Sequence, residues 1–130
     1  MKRVTLTGLS VLFSCYFFQS LPAGAWTITG KVTDVYDGDS ITVVEDETGW
    51  TRLIRLSAID APELSQAFGT QSREFLYKYS FGKKVTADCY RTIRQRIEIC
   101  TVTQNGKDVG LNQLEAGMAC LLYTSPSPRD

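Results

Sequence analysis

Apolar and β-branched residues gather in five short runs separated by turn residues, and two further segments have apolar residues at helical spacing. Runs of this composition are typical of β-strands. The first two runs flank Asp-Gly-Asp at 37–39, and Asp-Gly is a strong hairpin signal. Predicted strands cover 26–36, 40–46, 50–59, 83–90 and 96–103, and predicted helices cover 68–82 and 110–119.

The order of these elements is three strands, a helix, two strands and a helix, which predicts one α+β domain. A five-stranded Greek-key barrel, the OB-fold, is the best match, because a barrel removes the exposed edges of short antiparallel strands. The residues predicted to share one face are Phe68, Ser72, Phe75, Leu76 and Tyr79 in the first helix and Leu111, Leu114 and Met118 in the second.

Both ends of the chain differ from its middle. Residues 1–25 are predicted to be a secretory signal peptide: Lys2 and Arg3 precede an apolar core, and "AGA" at 23–25 is a small-x-small cleavage site. The core is too short and too interrupted to favour a membrane anchor. Residues 120–130, "CLLYTSPSPRD", resemble the translated read-through of a sequencing-library adaptor more than a natural Ser/Pro-rich tail. We therefore expect the domain to span 26–119 and to lack its natural C-terminal end.

Charge gives no general argument for nucleic-acid binding. Three of the 14 basic residues and one of the 14 acidic residues lie outside 26–119, so that segment carries a net charge of −2. Any affinity for phosphates must come from a local patch. The candidates for such a patch are Lys83, Lys84, Arg91, Arg94 and Arg96.

Cysteine and histidine content narrows the chemistry further. Only Cys89 and Cys100 lie within 26–119, on adjacent predicted strands, where a disulfide is allowed in an exported protein but not proven by the sequence. The chain has no histidine and no CxxC pair. Zinc binding is therefore disfavoured, and catalysis by Ser-His or Cys-His pairs is excluded.

Acidic residues at predicted turns are the strongest chemical candidates. Asp39 follows the first hairpin turn, and Asp60 and Glu63 follow the arginine-bearing third strand within "RLIRLSAIDAPE". Asp60 and Glu63 also have the spacing of a helix capping box, which is a structural alternative. Pro62 disfavours that alternative, because it holds Ala61 in an extended conformation.

Phosphodiester hydrolysis is a reaction that would use such groups. A carboxylate can deprotonate the attacking water, and arginines can neutralise the charge that develops on the phosphoryl oxygens. A hard cation such as Ca²⁺ binds carboxylate and carbonyl oxygens. Asp39, Asp60 and the Ala61 carbonyl would suit that ion.

Four motifs together resemble the thermonuclease, or staphylococcal nuclease, family. They are "VYDGDSITV", "RLSAIDAPE", a "Q…G…S…FL" helix and "NGKDVGLNQLEAGMA", in family order across about 32–119. The resemblance implies an OB-fold barrel with two to three flanking helices, the last of them truncated here. It also implies Ca²⁺-dependent cleavage of DNA and RNA.

The resemblance also implies roles for individual residues. Asp39 and Asp60 match the metal carboxylates, and Ala61 matches the residue whose carbonyl binds the metal. Arg55 matches the first phosphate-binding arginine, and Glu63 matches the carboxylate proposed as the general base.

The second catalytic arginine is less well defined, because the family has it in a Tyr-Gly-Arg turn that this chain lacks. The sequence there is "RTIRQRIEIC". Counting back from Gly106 leaves Arg96 one residue out of register, and we expect Arg96 rather than Arg94 to take the role. Lys83, Lys84, Arg91 and Arg94 are then candidates for further phosphate contacts, or they form a charged strand edge that prevents aggregation.

The sequence therefore predicts an exported, monomeric, Ca²⁺-dependent nuclease in the periplasm or outside the cell. Its expected substrates are single-stranded or denatured DNA and RNA, with little sequence specificity and no membrane contact after signal cleavage. One alternative is a non-catalytic OB-fold module that binds single-stranded nucleic acid or protein. Another is a carbohydrate-binding barrel, which would need no metal and would have clustered aromatic residues that this chain lacks.

Overall fold

The computed structural model describes residues 24–122, which form an α+β fold built on a five-stranded mixed β-barrel with two helices. The strands are β1 (Trp26–Asp37), β2 (Ser40–Glu45), β3 (Thr51–Leu56), β4 (Ile59–Asp60), β5 (Lys84–Ile93), β6 (Ile97–Gln104), β7 (Lys107–Asp108) and β8 (Cys120–Leu121). The helices are α1 (Gly69–Ser80) and α2 (Val109–Glu115). The predicted fold class is confirmed.

The barrel strands follow the order β3-β2-β1-β5-β6, and a parallel pairing of β3 with β6 closes the ring. Alternate residues of each strand point inward, so the core is made almost entirely of β-branched and other aliphatic side chains. The long strand β1 pairs with β2 and β5, and two register shifts near its C-terminal end bend it away from a flat sheet. The bend leads directly into the Asp37–Asp39 turn.

Helix α1 packs across β1 through small side chains and one leucine. Ser72, Leu76 and Ser80 are buried, and the short side chains let the helix approach the barrel closely. The prediction that Phe68 lies on this face is wrong, because Phe68 is 72% exposed. It immediately precedes the helix with a left-handed backbone, which turns its side chain away from the helix face.

Helix α2 is shorter than predicted. The Asp108 side chain accepts a hydrogen bond from the Leu111 N–H at the start, and the helix ends at Glu115 rather than near Ala119. Gly117 has a positive φ, and the N–H groups of Gly117 and Met118 donate to the Leu114 and Gln113 carbonyls. These bonds form a Schellman motif, which terminates the helix.

The predicted apolar face of α2 is wrong at one end. Leu111 is exposed, whereas Gln113 is fully buried, because Val109, Gly110 and Gln113 are the residues that face the barrel. Leu114 and Met118 are partly buried, as expected. A polar residue therefore occupies the most buried position of this short helix.

The predicted signal peptide lies almost wholly outside the described residues. Within 24–122, no helix is long and apolar enough to cross a membrane. At the other end, Cys120 and Leu121 pair with β4, and the Leu122 N–H donates to the Ala58 carbonyl. The origin of segment 120–130 stays a prediction, but its first residues are part of the folded chain.

Candidate active site

The carboxylate of Asp39 is held at the start of β2, and Asp39 is only 5% exposed. Its Oδ2 accepts a hydrogen bond from the Ala61 N–H (3.0 Å) and its Oδ1 accepts one from the Ser40 hydroxyl (3.0 Å). The Asp39 N–H donates to Asp37 Oδ1 (3.1 Å), which shapes the preceding turn. The carboxylate therefore bridges two segments 22 residues apart in the chain.

Arg55 joins Asp39 to Asp60. Ser40 and Arg55 are direct partners in the β2–β3 pairing, so the arginine lies beside the Asp39 turn. Its Nη2 donates to Asp60 Oδ1 (3.3 Å) and lies 3.8 Å from Asp39 Oδ2. Asp60 has a largely exposed side chain, so the cluster opens to solvent on one side. The three residues form one charged site, which we call the Asp39–Arg55–Asp60 cluster.

The segment 58–61 reverses the chain at this cluster. Ala58 has a positive φ, and the short strand β4 then buries Ile59 while it exposes Asp60. Ala61 is buried next, where its N–H meets Asp39. This alternation presents the Asp60 carboxylate to solvent and keeps its two neighbours in the protein.

Glu63 follows in a tight turn outside any helix. Its N–H donates to Gln66 Oε1 (2.8 Å), and its carbonyl accepts from the Gln66 N–H (2.8 Å). A Cβ atom at Gly69 would lie 1.9 Å from the Glu63 carbonyl, so α1 can approach this turn only with glycine there. Because α1 begins at Gly69, the capping-box alternative for Asp60 and Glu63 is wrong. The Glu63 side chain is exposed beside Tyr36 and Asp37.

A buried network that the sequence did not indicate holds the Asp37–Asp39 turn in place. Gln113 donates from Nε2 to the carbonyls of Gly38 (2.8 Å) and Ser72 (3.2 Å). The Ser72 hydroxyl donates to the Met118 carbonyl (2.7 Å). A Cβ atom at Gly38 would lie 1.8 Å from Ser72 Oγ, so glycine is required for this contact. Helices α1 and α2 thus position the turn from behind.

Two effects raise the pKa of Asp39 above its ordinary value of 3.8: burial first, and then the neighbouring carboxyl of Asp37, through a hydrogen bond and charge repulsion. The hydrogen bonds from Ala61 and Ser40 act in the opposite direction. The net raised pKa means that the buried carboxylate is incompletely compensated by its protein partners.

The predicted second arginine lies elsewhere. Arg96 precedes β6 and lines a cavity of about 390 Å³ together with Arg52 and Glu98. Arg94 and Gln95 form the adjacent turn with positive φ angles. Neither Arg94 nor Arg96 makes an ion pair or side-chain hydrogen bond among the described residues, and the structure does not bring Arg96 into the Asp39–Arg55–Asp60 cluster.

The remaining basic candidates are separated as well. Lys84 pairs with Asp46 at the edge of the barrel, and the exposed Lys83 precedes β5. Arg91 lines a second cavity, of about 350 Å³, that Arg55 also lines. Cys89 and Cys100, which lie opposite each other on β5 and β6, form a disulfide close to this cavity.

Comparison with known proteins identifies the family. A family model described as "Staphylococcal nuclease homologue" matches residues 53–130, more than half of the chain. The chain belongs to the staphylococcal nuclease family. The match includes Arg55, Asp60, Ala61 and Glu63 but begins after Asp39.

Several curated relatives of the chain carry nuclease names. The micrococcal nuclease of Shigella flexneri is 41% identical over 85 residues, which cover 65% of this chain and 47% of that protein. An uncharacterized endonuclease of Haemophilus influenzae is 28% identical over 118 residues, covering 91% and 64%. An uncharacterized endonuclease of Escherichia coli is 34% identical over 104 residues, covering 79% and 67%. The chain thus spans about half to two thirds of the length of these relatives.

The oxygen donors at the cluster fit the calcium ion that staphylococcal nuclease family membership suggests. Asp39, Asp60 and the Ala61 carbonyl offer only hard oxygen ligands, and the Asp39 carboxylate has a raised pKa that a nearby cation would offset. Residues 24–122 contain no group of three or more acidic, cysteine or histidine side chains placed to hold a metal. Because Ca²⁺ takes more oxygen ligands than these three residues offer, an ion here would also need water or substrate oxygens.

Two residues that position the Asp37–Asp39 turn were not predicted to do so, and Arg91 lines a cavity with Arg55 that the sequence did not indicate. Ser72 was predicted as a packing residue, Gln113 was not singled out, and Arg91 was one of several basic candidates. No local pattern marks Gln113, because its buried position accompanies a hydrogen bond to the distant Gly38 carbonyl. The position of Arg91 depends on strand register, which no local pattern reveals.

Proposed function

We propose that the protein is a Ca²⁺-dependent phosphodiesterase that cleaves single-stranded or denatured DNA and RNA with little sequence specificity. The Asp39–Arg55–Asp60 cluster carries this proposal, because it combines a buried carboxylate, an exposed carboxylate and a guanidinium at one solvent-open corner of the barrel. The family match and the names of the relatives support the same reaction class.

Each residue of the site has a distinct task in this proposal. Arg55 donates to phosphoryl oxygens and offsets the negative charge that grows on them as water attacks phosphorus. Glu63, exposed three residues beyond Asp60, orients that water and accepts its proton, while the bond to the leaving sugar oxygen breaks and that oxygen takes a proton from solvent. Asp39, Asp60 and the Ala61 carbonyl hold the calcium ion, which when bound would polarise the phosphate as a Lewis acid.

Export is part of the proposal. The Cys89–Cys100 disulfide is typical of an oxidising compartment, and the predicted signal peptide at 1–25 would deliver the chain there. Purification of the protein from the medium or periplasm with residue 26 at its N-terminus is the expected result. Retention of residues 1–25 in the cytoplasm would contradict export without touching the proposed chemistry.

The first experiment replaces Glu63 with glutamine in the full chain. Cleavage of a fluorescent single-stranded oligonucleotide is measured with Ca²⁺ and with excess chelator. Wild type should cleave only with Ca²⁺, and Glu63→Gln should lose about a hundred- to ten-thousandfold in kcat, the usual contribution of a general base.

Glu74→Gln is the matched control, because Glu74 is an exposed glutamate of α1 outside the cluster. It should keep wild-type activity. A folded wild type without cleavage would favour the non-catalytic OB-fold module instead, and retained oligonucleotide binding would identify that function. Equal activity of Glu63→Gln and wild type would remove Glu63 from the mechanism.

A further inference from the structure

A β-bulge in β5 changes which way Arg91 points. Cys89 pairs with Cys100, but Arg91 pairs with Ile99, so Tyr90 and Arg91 together take up the space of one partner residue. Without the bulge, Cys89 and Arg91 would point to the same side of the sheet, into the barrel. Cys89 is buried and Arg91 is exposed, so the bulge turns the arginine to the outer surface.

The bulge places Arg91 in one row with Arg55. Ile99 pairs with Arg55 on β3 and with Arg91 on β5, and directly paired residues in a sheet point to the same face. The two arginines are therefore two strand spacings apart, about 10 Å between backbones. Both line the same cavity of about 350 Å³, which Ile99 lines as well.

The Arg91 side chain lacks the protein partners that hold some other arginines of the chain. Its side chain forms no ion pair or hydrogen bond within residues 24–122, whereas Arg52 is paired with two glutamates and Arg73 donates to the Val35 carbonyl. The cavity it shares with Arg55 contains no acidic side chain among its lining residues. A free guanidinium at such a surface is suited to bind a phosphate.

Arg96 is in a different environment. It lies in the cavity at the end of the barrel where Glu98 is almost buried and one of its carboxylate oxygens, Oε2, has no hydrogen-bond partner among the described residues. Arg96 is thus near an acidic group that can pair with it.

We propose that Arg91 is the second phosphate-binding arginine of this protein, acting with Arg55 on a nucleic-acid phosphate in the cavity they share. The inference rests on the proposed function. It departs from the family pattern, in which the arginine belongs to a Tyr-Gly-Arg turn, because here a bulge in β5 and the disulfide that joins β5 to β6 supply the position instead. The Cys89–Cys100 bond, directly before the bulge, holds the register that aims Arg91.

The test compares Arg91→Ala, Arg91→Lys, Arg96→Ala and Lys78→Ala in the full chain. Cleavage of a single-stranded oligonucleotide gives kcat/KM, and calorimetric titration with thymidine 5′-monophosphate gives phosphate binding. Arg91→Ala should lose about a hundred- to thousandfold in kcat/KM and should bind the nucleotide more weakly. Arg91→Lys should recover part of the loss, because lysine keeps the charge but not the bidentate geometry.

Arg96→Ala should lose less than Arg91→Ala in both assays, and Lys78→Ala, an exposed lysine of α1, should match wild type. Thermal unfolding of Arg91→Ala should match wild type, since the side chain has no partner to lose. The inference is overturned if Arg91→Ala keeps wild-type turnover and nucleotide binding, and loss of both in Arg96→Ala would assign the role to Arg96 instead. If wild type itself does not cleave, the proposed function fails, and the nucleotide titrations alone decide the role of Arg91.

Discussion

Two arginines of β3, three residues apart, each lie between two carboxylates, but we assign them different roles. Arg52 points to the inside of the barrel end, where its Nη2 is 2.9 Å from Glu45 and its Nη1 is 3.3 Å from Glu98. Arg55 points to the outside, 3.3 Å from Asp60 and 3.8 Å from Asp39. The two arginines point to opposite faces of the same strand. Arg52 therefore belongs to a structural ion cluster, and Arg55 belongs to the candidate catalytic one.

The two regions differ in how well neighbouring groups compensate the negative charge of their carboxylates. Hydrogen bonds from Thr48 and Arg52 lower the pKa of Glu45, and the Arg52 guanidinium also stacks 5.4 Å from the centre of the Trp50 ring. At the other cluster, burial and Asp37 raise the pKa of Asp39 despite the nearby Arg55. At the Arg52 cluster, protein partners stabilise the charged form of Glu45, whereas Asp39 keeps an unmet electrostatic demand that a ligand can satisfy.

The largest expected difference between the two arginines is in their effect on catalytic activity. Arg55→Ala should lose about a hundred- to thousandfold in kcat, because one preorganised donor to the phosphate is removed. Its free energy of unfolding should change by less than about 1 kcal/mol, since the pairing is partly exposed and long. Oligonucleotide cleavage and urea unfolding on the same preparation measure both quantities. A large loss of stability with normal turnover would reverse the roles assigned to the two arginines.

The next effect is on stability. Arg52→Ala leaves the nearly buried Glu98 carboxylate without its cation and should destabilise the fold by about 1–3 kcal/mol. Its kcat below the unfolding transition should stay close to wild type, because Arg52 is on the inner face of β3, away from the Asp39–Arg55–Asp60 cluster. Arg52→Met is the companion variant, since it keeps much of the side-chain volume. Unchanged urea midpoints for both variants would contradict a structural role.

The smallest effect is the opposite pH dependence of the two regions. The raised pKa of Asp39 gives a stability contribution that is full below 3.8 and is lost as pH rises through the folded pKa. The lowered pKa of Glu45 gives one that is present above 4.5 and is lost as pH falls through its folded pKa. Asp39→Asn should remove the loss of stability that begins as pH rises above 3.8. Glu45→Gln should remove the loss of stability that begins as pH falls below 4.5.

Urea midpoints measured across this range without divalent cations check both signs. Parallel pH profiles for wild type and Asp39→Asn would show that the Asp39 carboxyl is already compensated in the folded protein. That outcome would weaken the contrast between the clusters, because the catalytic candidate would then be as internally satisfied as the structural one.

Local sequence predicted the barrel well, because strand propensity and turn residues are properties of neighbouring positions. The Asp-Gly turn, the five strands and both helices are where these signals place them, within a few residues. The errors occur where a distant contact decides. Helix α2 ends early at the Schellman motif, although "EAGMA" continues a helical pattern, and Gln113 replaces Leu111 as the buried residue since it reaches Gly38 across the fold.

The sequence indicated the candidate site residues for a similar reason. Asp39, Asp60, Ala61 and Glu63 belong to short motifs whose chemistry can be seen in the residues themselves, and the "DGD" and "IDAPE" turns keep them at barrel corners. Their meeting with Arg55 depends on β2–β3 register and on the hydrogen bond from Ala61 to Asp39, which join separate segments. The role of Glu63 stays a prediction.

Residue types and turn motifs were thus sufficient to predict the fold class and the family and to suggest the carboxylate site, because each strand, helix and motif is encoded in a short stretch of neighbouring residues. The arrangement of the arginines was decided by tertiary structure alone. Strand alternation sends Arg52 inward and Arg55 outward, and the bulge at Tyr90 turns Arg91 toward Arg55 while Arg96 lies beside Glu98. A shift of one residue in strand register reverses the face of every side chain, and register is set by pairing between strands far apart in the chain.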